Sequence, residues 1–136
     1  MSEKFKNQIM LIARILMAML FLLSGITKIA DFAGTVGYIS SKGLPLPQFV
    51  AVIAIVVELG GSLVLLAGFK TRMVTFVMAL FTLVASVLFH NFWSLPADQV
   101  LVNQIMFLKN LSITGGLLMF VAFGAGGLSL DAKRES

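Results

Sequence analysis

Residues 49–68 read FVAVIAIVVELGGSLVLLAG, an apolar run with a single ionisable side chain, Glu58, near its middle. A helix needs about 20 mainly apolar residues to cross a bilayer, since each residue rises about 1.5 Å through a core about 30 Å thick. This run meets that length, and so do residues 9–29, 73–89 and 105–123. Short polar links join the four runs and leave almost no chain to cover them. The sequence therefore predicts an all-α integral membrane protein with four spanning helices.

Composition supports a membrane protein with one domain over residues 1–136. Hydrophobic residues make up 59% of the chain and charged residues 12%, with a mean hydropathy of +1.02. Soluble domains carry roughly a quarter charged residues, so this chain lacks the charges to coat a surface facing water. The net charge of +4 comes from basic residues beside the apolar runs, which favours membrane orientation over nucleic-acid binding. The absence of cysteine excludes thiolate nucleophiles, Cys-ligated zinc and iron–sulfur clusters.

The links predict the topology of the bundle. Short links make successive helices antiparallel neighbours, giving an up-down-up-down four-helix bundle. The amino end, the second link and the tail carry Lys4, Lys6, Lys70, Arg72, Lys133 and Arg134, whereas the first and third links hold only Lys42. The positive-inside rule therefore predicts that both termini face the cytoplasm. A signal peptide at the first run is disfavoured, because Arg14 interrupts it and no A-x-A pattern follows.

Two segments outside the spans also carry structural signals. Residues 31–41, with apolar side chains on an otherwise polar stretch, suggest a short interfacial helix against the bundle. The glycine-rich residues 124–127 are expected to cap the last helix and release a polar tail over residues 131–136.

Glu58 is the candidate centre of a polar intramembrane site. A charge at this depth costs at least ~2.5 kcal/mol on insertion scales, so Glu58 must face the interior, pair with a cation or be protonated. Depth alone places both Arg14 and Lys109 axially within about 6 to 10 Å of it, with Arg14 the better match. A structural ion pair and a working site are both open interpretations.

Helical wheels place a polar or small face on each span. Arg14, Ala18, Phe21, Gly25 and Lys28 share one face of the first span, at about 100° per residue. The other stripes are Glu58, Gly61, Ser62 and Gly68 on the second span, Thr75, Thr82, Ser86 and His90 on the third, and Lys109, Ser112 and Gly116 on the fourth. Close packing with back-bonding to carbonyls is the favoured interpretation of the Ser, Thr and Gly positions. Lys28 is expected to snorkel to the outer interface, and His90 to lie in an interfacial aromatic belt.

No cofactor is predicted from motifs. A single histidine at a helix end is a weak signal for buried haem, and no metal-binding, phosphate-loop or dinucleotide motif is present. Binding of a quinone or another small apolar ligand between the helices is an interpretation that stays open.

Several motifs in order resemble one branch of the DoxX family of small bacterial inner-membrane proteins. They include Ser24-Gly25-Ile26-Thr27-Lys28, Gly43-Leu44-Pro45, Glu58-Leu59-Gly60-Gly61, Phe89-His90-Asn91-Phe92-Trp93 and Phe107-Leu108-Lys109-Asn110-Leu111. The resemblance covers nearly the whole chain and implies a four-helix protein of the bacterial inner membrane. Relatives include a subunit of a thiosulfate:quinone oxidoreductase, and some members look like membrane partners of redox enzymes. Without cysteine, this chain cannot form a thiosulfonate-type thiol intermediate.

Three functions follow as hypotheses. The first is a non-catalytic membrane subunit or scaffold with a polar site formed by Glu58, Arg14, Lys109 and Asn110, and with Lys28, His90 and Ser86 as weaker candidates. Its partners would be the lipid bilayer and either a redox enzyme or a second copy of the chain. The second is a quinone-linked oxidoreductase subunit in which Glu58 or Lys109 relays protons. The third is a small-molecule export or permeability factor, which would need an oligomer.

Overall fold

Four long antiparallel helices form the protein, as seen in a computed structural model that describes residues 1–135. Ser136, the last residue of the predicted polar tail, lies outside the described residues. The helices are α1 (Glu3–Ala30), α2 (Phe32–Ser41), α3 (Pro47–Ile55), α4 (Gly61–Ala67), α5 (Thr71–Phe89), α6 (Ala97–Phe123) and α7 (Leu130–Glu135). A π-helical turn, Val56–Gly60, joins α3 to α4 as one continuous span, and a 3₁₀ turn, Phe92–Ser94, follows α5. Residues 1–135 contain no strand, so the predicted all-α class is confirmed.

The candidate spans are Glu3–Ala30, Pro47–Ala67, Thr71–Ser94 and Ala97–Phe123, all long and apolar enough to cross a bilayer. The first and last helices begin earlier than the sequence indicated, at Glu3 instead of residue 9 and at Ala97 instead of about residue 105. Hydropathy marks only the apolar part of a helix. Polar residues such as Gln99 and Asn103 continue the last helix beyond that part.

Local capping explains where the helices begin and end. The Ser2 hydroxyl accepts a hydrogen bond from the Phe5 N–H at the start of α1. Asp31 separates α1 from α2, and its carboxylate accepts from the Gly34 N–H, which begins the predicted interfacial helix. Gly68 ends α4 with a φ of +65°, a left-handed conformation that glycine adopts without strain.

Contacts between the helices establish the up-down-up-down order. The Gly127 N–H donates to the Asn7 side-chain oxygen, which brings both chain termini to one end of the bundle. At that same end, Arg72 donates to the carbonyls of Val121 and Ala122. We call it the terminal end, and we call the opposite end, where Ala30 meets α2 and Pro96 precedes α6, the link end.

The buried core of the bundle is small, and the outer surface of the bundle is apolar. Its core cluster consists of Ala18, Phe21, Leu65, Met78, Ala79 and Leu117. Large apolar side chains point outward along every span, including Leu16, Phe76 and Leu118. Such a surface suits lipid, which satisfies apolar side chains while the helices satisfy their own backbone hydrogen bonds.

The chain end is docked to the bundle, so the prediction of a released tail is wrong. The Asp131 carboxylate accepts hydrogen bonds from the backbone N–H groups of Lys70 at 2.7 Å and Thr71 at 2.9 Å. These are unsatisfied donors at the start of α5, which has no side-chain cap of its own. The Asp131 N–H in turn donates to the Gly68 carbonyl at 2.8 Å.

Replacing Asp131 tests this docking through its pH dependence. Partial burial acts to raise the pKa of Asp131, but hydrogen bonds from Thr71 and Lys70 and the charge of Arg134 outweigh it, so the pKa lies below its usual value. The stabilisation is therefore present above the unfolded pKa of about 3.9 and is lost as pH falls through the lower, folded pKa.

We expect Asp131→Asn to lower the free energy of unfolding by about 1 kcal/mol at pH 7, as loss of a helix cap does. Thermal melting in mild detergent at stepped pH should show the difference from the unmodified protein shrinking as pH falls below about 4. Asp98→Asn, at an exposed acid in the first turn of α6, is the matched control. An Asp131→Asn protein that melts like this control at neutral pH would contradict the docking.

Candidate functional site

A cavity of about 290 Å³ lies between the helices on the link-end side of the core. We call it the Glu58 cavity. Its polar lining consists of Ser24, Lys28, Thr35, Tyr38, Glu58, Thr82, His90, Lys109 and Asn110. Apolar and aromatic side chains such as Phe21, Phe81 and Phe89 complete the wall. The cavity therefore brings together Lys28, Glu58 and Lys109, ionisable residues of three different spans.

Glu58 forms an ion pair with Lys28. The Lys28 Nζ lies 2.9 Å from Glu58 Oε2 and also donates to the Ser24 hydroxyl at 2.7 Å. The side chain of Glu58 is only 10% exposed, and that of Lys28 is 27% exposed. The prediction that Arg14 is the partner is therefore wrong, and so is the expectation that Lys28 snorkels to the interface.

Side-chain direction explains this pairing. Side chains on a helix lean toward its N-terminus. Because α1 and α3 are antiparallel, Lys28 leans from the link end toward the bundle centre, and Glu58 leans toward the link end to meet it. Arg14 leans in the same direction as Lys28, toward the terminal end, and therefore points away from Glu58. An estimate that uses depth alone does not include the direction in which a side chain leans along its helix.

Register also separates Arg14 from Glu58. Gly25 packs directly against Leu59, where an added Cβ would lie 2.9 Å from both the backbone N and the Cβ of Leu59. Arg14 precedes Gly25 on α1, and it therefore lies about 16 Å from Gly25 along the helix axis, toward the terminal end. It is buried at the terminal end, where its Nη2 donates to the Leu128 carbonyl while Nε and Nη1 have no hydrogen-bond partner among the described residues.

Glu58 occupies a widened helical turn that the sequence did not predict. The π-helical turn Val56–Gly60 interrupts the regular hydrogen bonding between α3 and α4, with Glu58 at its middle. π turns within α-helices occur frequently at functional sites. Gly60-Gly61, two poor helix formers directly after Glu58, were the only signal that the sequence offered.

Lys109 and Asn110 line the same cavity without pairing with Glu58. Within residues 1–135, no ion pair or hydrogen bond engages the Lys109 ammonium, and none engages the Asn110 side-chain amide. Lys109 is also exposed on the outer face of α6. The cavity wall therefore contains donors that no described protein group uses.

His90 and Tyr38 occupy the link-end side of the cavity. The Asn103 amide nitrogen donates to the Gln99 carbonyl, which leaves its oxygen 3.2 Å from His90 Nδ1. Since that oxygen can only accept, Nδ1 carries the proton and donates it. Tyr38 stacks on Phe89 with ring centroids 5.6 Å apart, and burial raises the pKa of its phenol. Tyr38 therefore remains a neutral donor at physiological pH.

Ser86 and Arg14 lie outside the cavity lining. The Ser86 hydroxyl donates to the Thr82 carbonyl at 2.7 Å, which is the back-bonding favoured for the Ser and Thr positions. The candidates that converge are thus Glu58, Lys28, Lys109, Asn110 and His90. No group of three His, Asp or Glu side chains that could hold a metal ion occurs within the described part of the chain.

Comparisons with known proteins give consistent matches. The DoxX family model matches residues 9–91, more than half of the chain. Inner membrane protein YqjF of Escherichia coli (strain K12) is 40% identical over 129 residues, covering 95% of this chain and 94% of its own length. Inner membrane protein YphA of the same strain is 38% identical over 125 residues, covering 92% and 89%.

A shorter match, 36% identical over 72 residues, is to the Surfeit locus protein 4 homolog of Drosophila melanogaster, covering 50% of this chain and 26% of that protein. No solved structure matches the chain.

A double-mutant cycle tests the Lys28–Glu58 pair. Removing one partner of a buried ion pair lowers the free energy of unfolding by about 3–5 kcal/mol. We expect a smaller loss, about 2 kcal/mol, for Glu58→Gln, because Lys28 stays partly exposed. Lys28→Met together with Glu58→Gln should recover part of the loss, giving a coupling energy between about 0.5 and 3 kcal/mol in denaturant titration. The matched cycle with Arg14→Met should be additive. Coupling of Glu58 to Arg14 instead of Lys28 would disprove the assignment.

The close approach of Gly25 to Leu59 can be tested with a pair of glycine substitutions. We expect Gly25→Ala to destabilise the protein by about 1–3 kcal/mol, because the Leu59 backbone cannot yield to an added methyl group. Gly115 on α6 has nothing within 4 Å of an added Cβ, so Gly115→Ala should leave the melting temperature unchanged or slightly raised. Equal melting temperatures for the two variants would show that this contact does not set the register.

Proposed function

Since the chain belongs to the DoxX family of inner membrane proteins, we propose that it is a non-catalytic membrane subunit or scaffold whose Glu58 cavity binds a small ligand. The observation that carries this proposal is the combination of a buried ion pair with unused donors. Glu58 and Lys28 satisfy each other's charge, while Lys109 and Asn110 contribute donors that find no partner in residues 1–135.

Energetics support a role for the pair beyond stability. Replacing a buried ion pair by apolar residues of similar volume is often neutral or stabilising. Intramembrane ionisable residues are functional candidates because a purely apolar interior would avoid the free-energy cost of burying charges. A cavity with an aromatic wall and a few convergent polar groups has the usual character of a ligand site.

The basic residues support an orientation with both termini in the cytoplasm. Lys4, Lys6, Lys70, Arg72, Lys133 and Arg134 all belong to the terminal end. Cytoplasmic loops are the ones enriched in such residues. In this orientation the Glu58 cavity lies in the outer half of the bilayer, and a redox enzyme or a second copy of the chain is the proposed protein partner.

A second candidate, a quinone-linked oxidoreductase subunit, is favoured by the donors around the cavity. Quinone carbonyls accept hydrogen bonds, and Tyr38, Lys109 and Asn110 could donate them beside aromatic rings. Glu58 or Lys109 would then relay the protons of quinone reduction while the partner supplies electrons.

Native mass spectrometry of the protein released from inner membranes tests the proposal. We expect a small ligand of reproducible mass on the unmodified chain and its loss in Glu58→Gln and Lys109→Met. Glu3→Gln, at an exposed acid near the amino end, should retain it. Because Lys109 has no partner among the described residues that its loss would disrupt, Lys109→Met separates loss of ligand from loss of folding.

Chemical identification of that ligand decides between the two candidates. A quinone, with turnover of the partner enzyme abolished by Glu58→Gln, would favour the oxidoreductase subunit. Retention of the ligand in both folded cavity variants would contradict a site at Glu58 altogether.

A further inference from the structure

We infer that the ligand of the Glu58 cavity is an amphipathic monoanion, which reaches the cavity from the bilayer between α1 and α6 and is held by Lys109 at its acidic head. This inference rests on the proposed ligand-binding function and deepens it. It assigns a class of ligand, a route of access and a specificity-determining residue.

Among the residues that the structure describes, the charges lining the cavity leave one cation, Lys109, without a counterion. The ionisable groups that face it are Lys28, Tyr38, Glu58, His90 and Lys109. Glu58 and Lys28 neutralise each other at 2.9 Å, Tyr38 is a neutral phenol, and His90 is counted as neutral. Lys109 therefore gives the lining a net charge of +1, which one acidic group on a ligand would cancel.

The hydrogen-bonding groups near that charge match an acidic head. A lysine ammonium offers three donors and no acceptor, and an asparagine amide nitrogen offers two. Lys109 and Asn110 are adjacent on α6, and both line the cavity. A carboxylate or a comparable oxyanion accepts from both, with the strength of a charge-assisted hydrogen bond in a water-poor site.

An opening toward lipid lies between α1 and α6. The two helices meet closely at Gly116, where an added Cβ would lie 2.6 Å from Met17 Cε. Closer to the link end, Leu20 and Lys109 line the cavity although both are also exposed on the outside of the bundle. Leu20 and Lys109 therefore mark the rim of the cavity between α1 and α6, and Tyr38, which is also exposed, marks its rim on α2.

The opening selects for a ligand that already resides in the membrane. The outside of a spanning helix faces acyl chains, so a ligand that passes this rim comes from lipid. At about 290 Å³, the cavity is just below the 300–1,000 Å³ range typical of drug-sized ligands. It would therefore enclose the acidic head with one ring or a short acyl segment, leaving any longer tail in the bilayer.

Three probes with the same tail test the inference: decanoate, decanol and decyltrimethylammonium. Radiolabelled decanoate is titrated into phosphatidylcholine nanodiscs containing the full chain, and the signal of empty nanodiscs is subtracted. We expect saturable decanoate binding, competition by decanol that is at least tenfold weaker, and no competition by the cation. Lys109→Met should weaken decanoate binding about tenfold, and Lys109→Arg should retain most of it. Lys4→Met, at an exposed lysine far from the cavity, should bind like the unmodified protein.

The outcomes separate this inference from the proposed function. If decanol competes as well as decanoate, or if Lys109→Met binds decanoate as tightly as Lys4→Met, selection of an anion by Lys109 is wrong. A cavity that binds decanol and loses it on Glu58→Gln would leave the proposed function standing. Absence of saturable binding by all three probes would overturn both.

Discussion

The ion pair between Lys28 and Glu58 is the interaction on which the rest of the structure depends. Charges inside a lipid-facing bundle usually pair with one another or with backbone carbonyls, and the packing of the helices brings these two together. The contact of Gly25 with Leu59 provides the register, and the antiparallel order of α1 and α3 makes the two side chains lean toward each other. The π turn contains Glu58, and both members of the ion pair line the Glu58 cavity. Lys109 and Asn110, whose side-chain donors have no partner within residues 1–135, line the same cavity, which makes it a candidate binding site.

The two inward-facing cations of α1, Arg14 and Lys28, serve opposite ends of the bundle. Lys28 neutralises Glu58 at the cavity, whereas Arg14 lies under the docked chain end and donates to the Leu128 carbonyl. Asp131 completes the terminal end by accepting from the N–H groups at the start of α5. This end is closed by hydrogen bonds from three segments distant in sequence. The link-end side of the core holds the Glu58 cavity, which is the proposed ligand site.

The sequence was sufficient for the architecture because lipid imposes simple length and hydropathy requirements. Runs such as residues 49–68 predict spanning helices, and short links predict their antiparallel order. It was also sufficient to identify Glu58 as exceptional. The partner of Glu58 could not be predicted from depth, because side-chain lean and the Gly25 contact depend on how two helices pack. The docking of Asp131 was missed because it joins residues 60 positions apart, and polar residues after a glycine-rich stretch give no local sign of that contact.

Solid-state NMR on the protein in lipid bilayers measures the central interaction directly. Labelling the lysine Nζ with ¹⁵N and the glutamate carboxyl carbon with ¹³C allows dipolar recoupling to report their separation, with Lys28→Arg as the variant that assigns the signal. The structure predicts strong recoupling of the Glu58 carboxyl carbon to a lysine Nζ, matching the 2.9 Å contact between Nζ and Oε2, and its disappearance in Lys28→Arg. A Glu58 carboxyl that shows no lysine recoupling would contradict the account, and so would recoupling to Arg14 in a second sample labelled at the arginine guanidinium nitrogens.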